Sequence, residues 1–154
     1  MTRSAIVMTT IAFLASLRLL GHMTGPRAER IHEVIGEPAR VVRPSTGGSL
    51  GIVSWNIEYG TRFDVVVDAL RRLDADVYLL QEVDLFCRRS GNRNIARDLA
   101  HALGANWVFA GEFQEIGEST GQVPALTGQA IVSRYPIVAS AAVQIGRASC
   151  RERV

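Results

Sequence analysis

The sequence predicts a layered α/β domain, and three consecutive stretches carry that prediction. Leu50 to Ile57 (LGIVSWNI) is a continuous apolar run, rich in β-branched residues and bounded by glycines, the pattern of a buried strand. Phe63, Val66, Val67, Leu70 and Leu73 then fall at helical spacing, with Arg71 and Arg72 on the other side. Asp76 to Leu80 (DVYLL) is a second short apolar run. A strand, a helix and another strand bury their apolar sides together only as a sheet covered by helices, so an α/β (α+β) architecture is expected.

Further elements follow the same logic. Ile95, Leu99, Ala102 and Leu103 share one helical face, which predicts a helix over 95–103 with Gly104 as its C-terminal cap. Asn106 to Ala110, Gln129 to Ser133 and Ile137 to Val143 read as strands, the last two joined by a turn at Tyr135-Pro136. The glycine-rich and polar stretch Gly117 to Gly128 reads as a mobile loop.

Both ends differ in character from this body. Arg3 followed by the apolar run Ala5 to Leu17 has the shape of an export signal, and residues 1–23 form a signal or membrane-anchor segment on that reading. Membrane contact through residues 5–23 would make the protein exported or tethered. A mispredicted start codon or a helix packed on a cytoplasmic domain are the alternatives. Residues 24–49 carry Gly25, Pro26, Pro38, Pro44, Gly47 and Gly48 among charges and read as a linker with a short helix around Glu29 to Ile35. The main domain is expected over 50–144. Ile145 to Val154 (IGRASCRERV) resembles the translation of a common sequencing adapter, so 145–154 is expected to be an artefact following a truncated reading frame.

Composition narrows the partners. Of 154 residues, 47% are hydrophobic and 21% charged, ordinary globular values. The net charge of +2 comes from the tail: without Gly146 to Val154 there are 14 basic and 14 acidic residues. Bulk charge therefore points to no partner, and phosphate binding has to come from a local site. Cys87 and Cys150 are too few for a disulfide framework or a cysteine-rich zinc site, and His22, His32 and His101 have no ligand spacing.

The local site is sought where buried strands end. Asn56 and Glu58 close the first strand two residues apart, so strand periodicity sends both to one side. Gln81 and Glu82 close the second strand, and if the strands are neighbours, Asn56, Glu58 and Glu82 converge. An amide and two carboxylates without histidine or thiolate make an oxygen-only shell suited to Mg²⁺ or Mn²⁺. Taken singly, Asn56 reads as a turn former and Glu82 as a strand-end carboxylate facing water. The loop Asp84 to Asn94 (DLFCRRSGNRN) adds Arg88, Arg89 and Arg93: either a phosphate clamp, with Arg88 and Arg89 as candidate substrate-binding residues, or a solvated loop. Its basic neighbours would lower the pKa of Cys87, although a bystander thiol is the plainer reading.

Three ordered motifs then carry a resemblance: Ser54-Trp55-Asn56-Ile57-Glu58, Leu79-Leu80-Gln81-Glu82-Val83, and Gly128-Gln129-Ala130-Ile131-Val132-Ser133-Arg134-Tyr135-Pro136-Ile137. In order and spacing they resemble the motifs of the endonuclease/exonuclease/phosphatase superfamily, over about Leu50 to Gln144. The resemblance implies the N-terminal portion of a four-layered α/β sandwich of deoxyribonuclease-I-like fold that hydrolyses phosphoesters with a divalent cation. It implies Glu82 as principal metal-binding residue, Asn56 as the amide orienting the phosphate or the catalytic carboxylate, and Glu58 as a second metal-contacting acid. Gln129 stands in place of the commoner asparagine, and Arg134 is expected to anchor a strand end.

The family's later motifs, an Asp-x-Asn pair and an Asp-His pair, have no counterpart: after Arg134 the sequence has no aspartate, histidine or asparagine. The general base is therefore missing, and the chain itself is expected to be inactive, with one sheet face uncovered at Val53, Ile131 and their neighbours. Candidate substrates are nucleic acid, a lipid head group or a small phosphate ester, with no protein partner implied. The alternative is a non-catalytic binding module of the same fold.

Overall fold

The computed structural model describes residues 33–37, 48–120 and 123–143, all within the unit Ile31–Val154. The expected signal segment and the tail 145–154 lie outside the described residues. Strand β1 (Val34–Gly36) is followed by β2 (Ile52–Tyr59), α1 (Phe63–Leu73), β3 (Val77–Leu85), α2 (Ile95–Leu103), β4 (Asn106–Gln114) and β5 (Leu126–Ser133). Short 3₁₀ turns lie at Arg88–Ser90 and Ile116–Glu118.

The five strands form one mixed sheet in the order β1-β4-β5-β3-β2, in which β2 and β3 are parallel and the other pairs antiparallel. The parallel pair is the expected strand-helix-strand unit, because only a crossover through α1 lets two neighbouring strands run the same way. One face of the sheet is packed by the helices. Tyr78, Leu80, Trp107, Phe109, Ala130 and Val132 meet Val66, Val67 and Leu70 of α1 and Ile95, Leu99 and Ala100 of α2 in a single core. The Tyr78 hydroxyl is satisfied inside it, donating to the Leu70 carbonyl at 3.0 Å and accepting from the Ala75 amide at 3.0 Å.

The other face is open. Ile131 and Leu79 are 40% and 37% exposed there, as expected for Ile131, whereas Val53 turns to the helix side and packs on the core. Strand β2 is consequently not buried on both faces. It lies at the sheet edge with Ile52, Ser54 and Asn56 exposed, so its unbroken apolar run reflects β-propensity more than burial. Among the described residues the architecture is two layers, one of helices on one mixed sheet.

Helix α2 starts and stops where expected. Asn94 caps it by accepting from the Arg97 amide at 3.0 Å, and Gly104 closes it in the left-handed conformation. Its buried face is centred on Ile95, Ala96, Leu99 and Ala100, with Ala102 and Leu103 half-buried.

Several expectations need correction. Residues 34–36 are a strand paired with β4, where a helix was expected in a linker, because three residues are too few to show a period. Strand β3 does not end at Glu82 but continues to Leu85. Ile137–Val143 is no strand, since it finds no pairing edge among the described residues and Val138 and Val143 stand 94% and 80% exposed. The segment expected as a loop from Gly117 contains a 3₁₀ turn and the start of β5, and the Thr120 hydroxyl ties it to Asn92 at 3.1 Å. Arg134 does anchor a strand end: its guanidinium pairs with Asp74 and donates to the Asp74 carbonyl, while its amide bonds to the Asp76 carbonyl at 2.9 Å.

The pairing register slips at one level across the sheet, between Asn56 and Tyr59 in β2, Leu80 and Val83 in β3, and Gly111 and Phe113 in β4. Gly128 faces Gly111 and Val83 at that level, and a Cβ there would run into the Ala110 carbonyl. Backbone cannot yield as a side chain can, so Gly128→Ala should cost about 3 kcal/mol in denaturant unfolding. Gly117→Ala, with open space around it, should stay within about 0.5 kcal/mol of the parent.

Candidate functional site

The register slips give the site its shape. In an unbroken strand, Glu82 would share the core face with Leu80. Instead Glu82 takes a left-handed backbone (φ 50°), an extra residue enters β3, and Val83 returns to the core at 0% exposure. In β2 the neighbouring Glu58 (φ 54°) and Tyr59 (φ 65°) are also left-handed. Such conformations in residues other than glycine cost on the order of 1 kcal/mol each, and bulges of this kind re-aim side chains beside functional sites.

The result is a cleft of about 470 Å³, lined by Asn56, Glu58, Thr61, Arg62 and Glu82 with Trp55, Val65 and Val66 as its apolar part. Asn56, Glu58 and Glu82 thus lie on one cleft, between the bulged part of the parallel pair and the start of α1. The Asn56 Oδ1 accepts from the Glu58 amide at 3.0 Å, which fixes the side chain and leaves its NH₂ group to donate. Glu82 is half-buried, and its carboxylate makes no hydrogen bond or ion pair with the described residues. Glu58 is paired only loosely, 3.9 Å from Arg62, with both side chains 75% exposed. Among the described residues there is no group of three or more histidine, cysteine, aspartate and glutamate side chains able to hold a metal. What Asn56, Glu58 and Glu82 could offer an ion is two carboxylates and an amide, a set whose chemistry suits a hard divalent ion that keeps part of its water shell rather than zinc. The second strand-end amide, Gln81, turns to the open face, where its Nε2 donates to Ser54 Oγ at 3.2 Å.

Arg89 does something the sequence did not reveal. Its Nε and Nη2 grip the two oxygens of Asp84, each at 2.9 Å, and Nη2 also reaches Glu115 at 3.0 Å and Thr127 at 2.8 Å. Asp84 is fully buried, and its carboxylate holds the guanidinium protonated above the ordinary arginine range. The Arg89 guanidinium lies 3.8 Å from the centre of the Tyr59 ring, so this network supports the left-handed turn of β2 from behind. Neither Arg88 nor Arg89 lines the cleft. Arg93 is also engaged, bonded to Asp98 at 3.0 Å and stacked on Phe63.

Cys87 corrects the expectation of a lowered pKa. Burial, followed by the nearby Asp84 carboxylate, pushes the thiol up from 9.0 to about 12, against a weaker opposing effect of Arg89. The Sγ donates to the Leu126 carbonyl at 3.4 Å, which is the bystander role.

Thr61 and Arg62 are the cleft residues that sequence reading missed. The available signal was their place on the loop leaving the parallel strand that carries Asn56 and Glu58, where α/β proteins gather ligand-binding groups.

The fold and the cleft define a class first: an α/β protein with a polar cleft at the carboxyl end of a parallel strand pair. Within that class, the model for the Endonuclease/Exonuclease/phosphatase family matches residues 53–153, and the chain belongs to that family. The match begins in β2 and takes in all three motifs. Neither the curated proteins nor the solved structures yielded a match to the chain.

Two outcomes follow from the buried groups. Arg89→Met strips the fully buried Asp84 of its counter-charge and should lower unfolding free energy by about 3 kcal/mol, measured by urea titration. For Cys87, the fold binds the thiol proton more tightly than the unfolded chain does, so the stabilisation is present below pH 9 and is lost as pH rises toward 12. In a Cys150→Ser background, Ellman's reagent should titrate no thiol in the native protein at pH 8 and one after denaturation.

Proposed function

We propose that Asn56, Glu58 and Glu82 form the metal-binding side of a phosphoesterase site that takes Mg²⁺ or Mn²⁺. The observation that carries this reading is the Glu82 side chain, which has no hydrogen-bond or ion-pair partner among the described residues and lines a cleft shared with Glu58 and Asn56 beside a strained bulge. Two carboxylates on one cleft repel each other, and a divalent cation between them would offset that repulsion. Family membership supports the same chemistry, since these proteins are generally hydrolases and typically use divalent metals.

On this reading Glu82 is the principal ligand and Glu58 the second acid. The fixed amide of Asn56 donates to a phosphoryl oxygen and orients the ester. When bound, the ion polarises that oxygen and offsets charge developing in an in-line displacement by water. Among the described residues no histidine lines the cleft, and the Asp-His pair from which the family resemblance would take the general base has no counterpart in this sequence, so that base is read as missing. The chain is accordingly read as ion-binding without turnover. A non-catalytic binding module of the same fold shares that behaviour. Hydrolysis of nucleic acid, a lipid head group or a small phosphate ester by a longer chain that carries the later motifs would separate the two.

Manganese binding followed by electron paramagnetic resonance tests the site. Glu82→Gln should weaken Mn²⁺ binding by about tenfold or more, and Glu58→Gln by less. A parent chain that does not bind Mn²⁺ would overturn the metal site, and hydrolysis of bis(p-nitrophenyl) phosphate by the parent would overturn the inactivity.

A further inference from the structure

The cleft holds a cation that its two acids do not fully engage. Arg62 is the one basic side chain among the described residues lining it, and its one ion-pair partner there is Glu58 at 3.9 Å, a loose contact between side chains that are both 75% exposed. Of the other described arginines, Arg72 and Arg88 have no side-chain partner among the described residues but do not line the cleft, and the rest are occupied. Arg89 grips Asp84 and Glu115, Arg93 and Arg97 share Asp98, Arg134 holds Asp74, and Arg71 donates to the Ala102 carbonyl.

Arg62 also sits where local structure would choose another residue. It occupies the N-cap of α1 and makes no side-chain capping bond, because a guanidinium has no acceptor to offer the first helical amides. Serine, asparagine or aspartate would start this helix better. A residue that breaks a local rule at the rim of a cleft marks a place where function outweighs stability.

We infer that Arg62 is the phosphate-binding cation of this cleft, gripping two non-bridging oxygens of the ester through its guanidinium fork, and that Arg88 and Arg89 are not. The inference rests on the phosphoesterase reading above. Glu58 holds the guanidinium loosely beside the site. A divalent ion that draws on the Glu58 carboxylate loosens that tether, so the arginine becomes available as the ion arrives. Ion and phosphate should therefore bind better together than apart.

The test uses the full chain, inorganic phosphate as the anion and calorimetry with and without Mg²⁺. Arg62→Gln removes the charge and leaves the helix start as it is, while Arg62→Asn also supplies a capping oxygen. Both should weaken phosphate binding about tenfold or more, Arg62→Lys by less, and Arg88→Ala by under about twofold. Mg²⁺ affinity should be unchanged or raised in both neutral variants, and Arg62→Asn should melt no lower than the parent, which separates lost binding from lost folding. Phosphate binding that survives Arg62→Gln, that falls equally in Arg88→Ala, or that is absent from the parent overturns the inference. If the parent binds no Mg²⁺ and its phosphate binding still depends on Arg62, the metal reading falls and the role of Arg62 stands. If Mg²⁺ binds and phosphate ignores Arg62, the reverse holds.

Discussion

Strand β3 has to place Leu80 and Val83 in the core while keeping Glu82 out of it, and a regular two-residue alternation does not allow all three. The left-handed backbone at Glu82 resolves the conflict by admitting one extra residue. The slip cannot remain local, since β3 is paired on both sides. It is matched by left-handed Glu58 and Tyr59 in β2 and, beyond β5, by the shift at Gly111–Phe113 in β4. Gly128 lies where these irregularities meet and has no room for a Cβ. The cleft is thus the visible end of a disturbance that crosses most of the sheet.

A disturbance of that size needs support close by, and the Asp84–Arg89 pair supplies it. Asp84 follows Glu82 by two residues and is fully buried, Thr127 pairs with it across β5, and Glu115 joins from beyond β4. Arg89 satisfies all three and stacks on Tyr59. Gly60, also left-handed, closes the same turn with no space between it and Ile95 of α2. The end of β2 is therefore held from the network side by Arg89 and from the helix side by Ile95, leaving Glu58 and Asn56 facing the cleft.

The frame of this arrangement was legible in the sequence, and its fine structure was not. The α2 boundaries follow from the Asn94 cap, the helical spacing and Gly104, each a local signal. The parallel pairing of β2 and β3 follows from two apolar runs separated by one amphipathic helix. Motif spacing carried the family. By contrast, nothing in the letters marks a glutamate as left-handed, so β3 looked finished at Glu82. Arg88 and Arg89 look alike as loop arginines, and only the burial of Asp84 tells one from the other. Ile137–Val143 has the composition of a strand, but composition does not provide an edge to pair with.

The balance of charge follows the same division between scaffold and site. Without the last nine residues the chain has as many acids as bases, and much of that equality is used within the fold, where Asp84, Asp98 and Asp74 each face an arginine. The cleft is the exception, with two carboxylates against one loosely held guanidinium. On the proposed reading this local excess of negative charge sets an order of events. A phosphate ester that reached the cleft ahead of the ion would meet two acids and be repelled, whereas a divalent ion would be drawn in, offset their charge and leave Arg62 to turn to the anion. The near-neutral body of the protein neither helps nor hinders. Selectivity for a phosphorylated ligand then has to arise within the few ångströms where the bulged strands and the start of α1 come together.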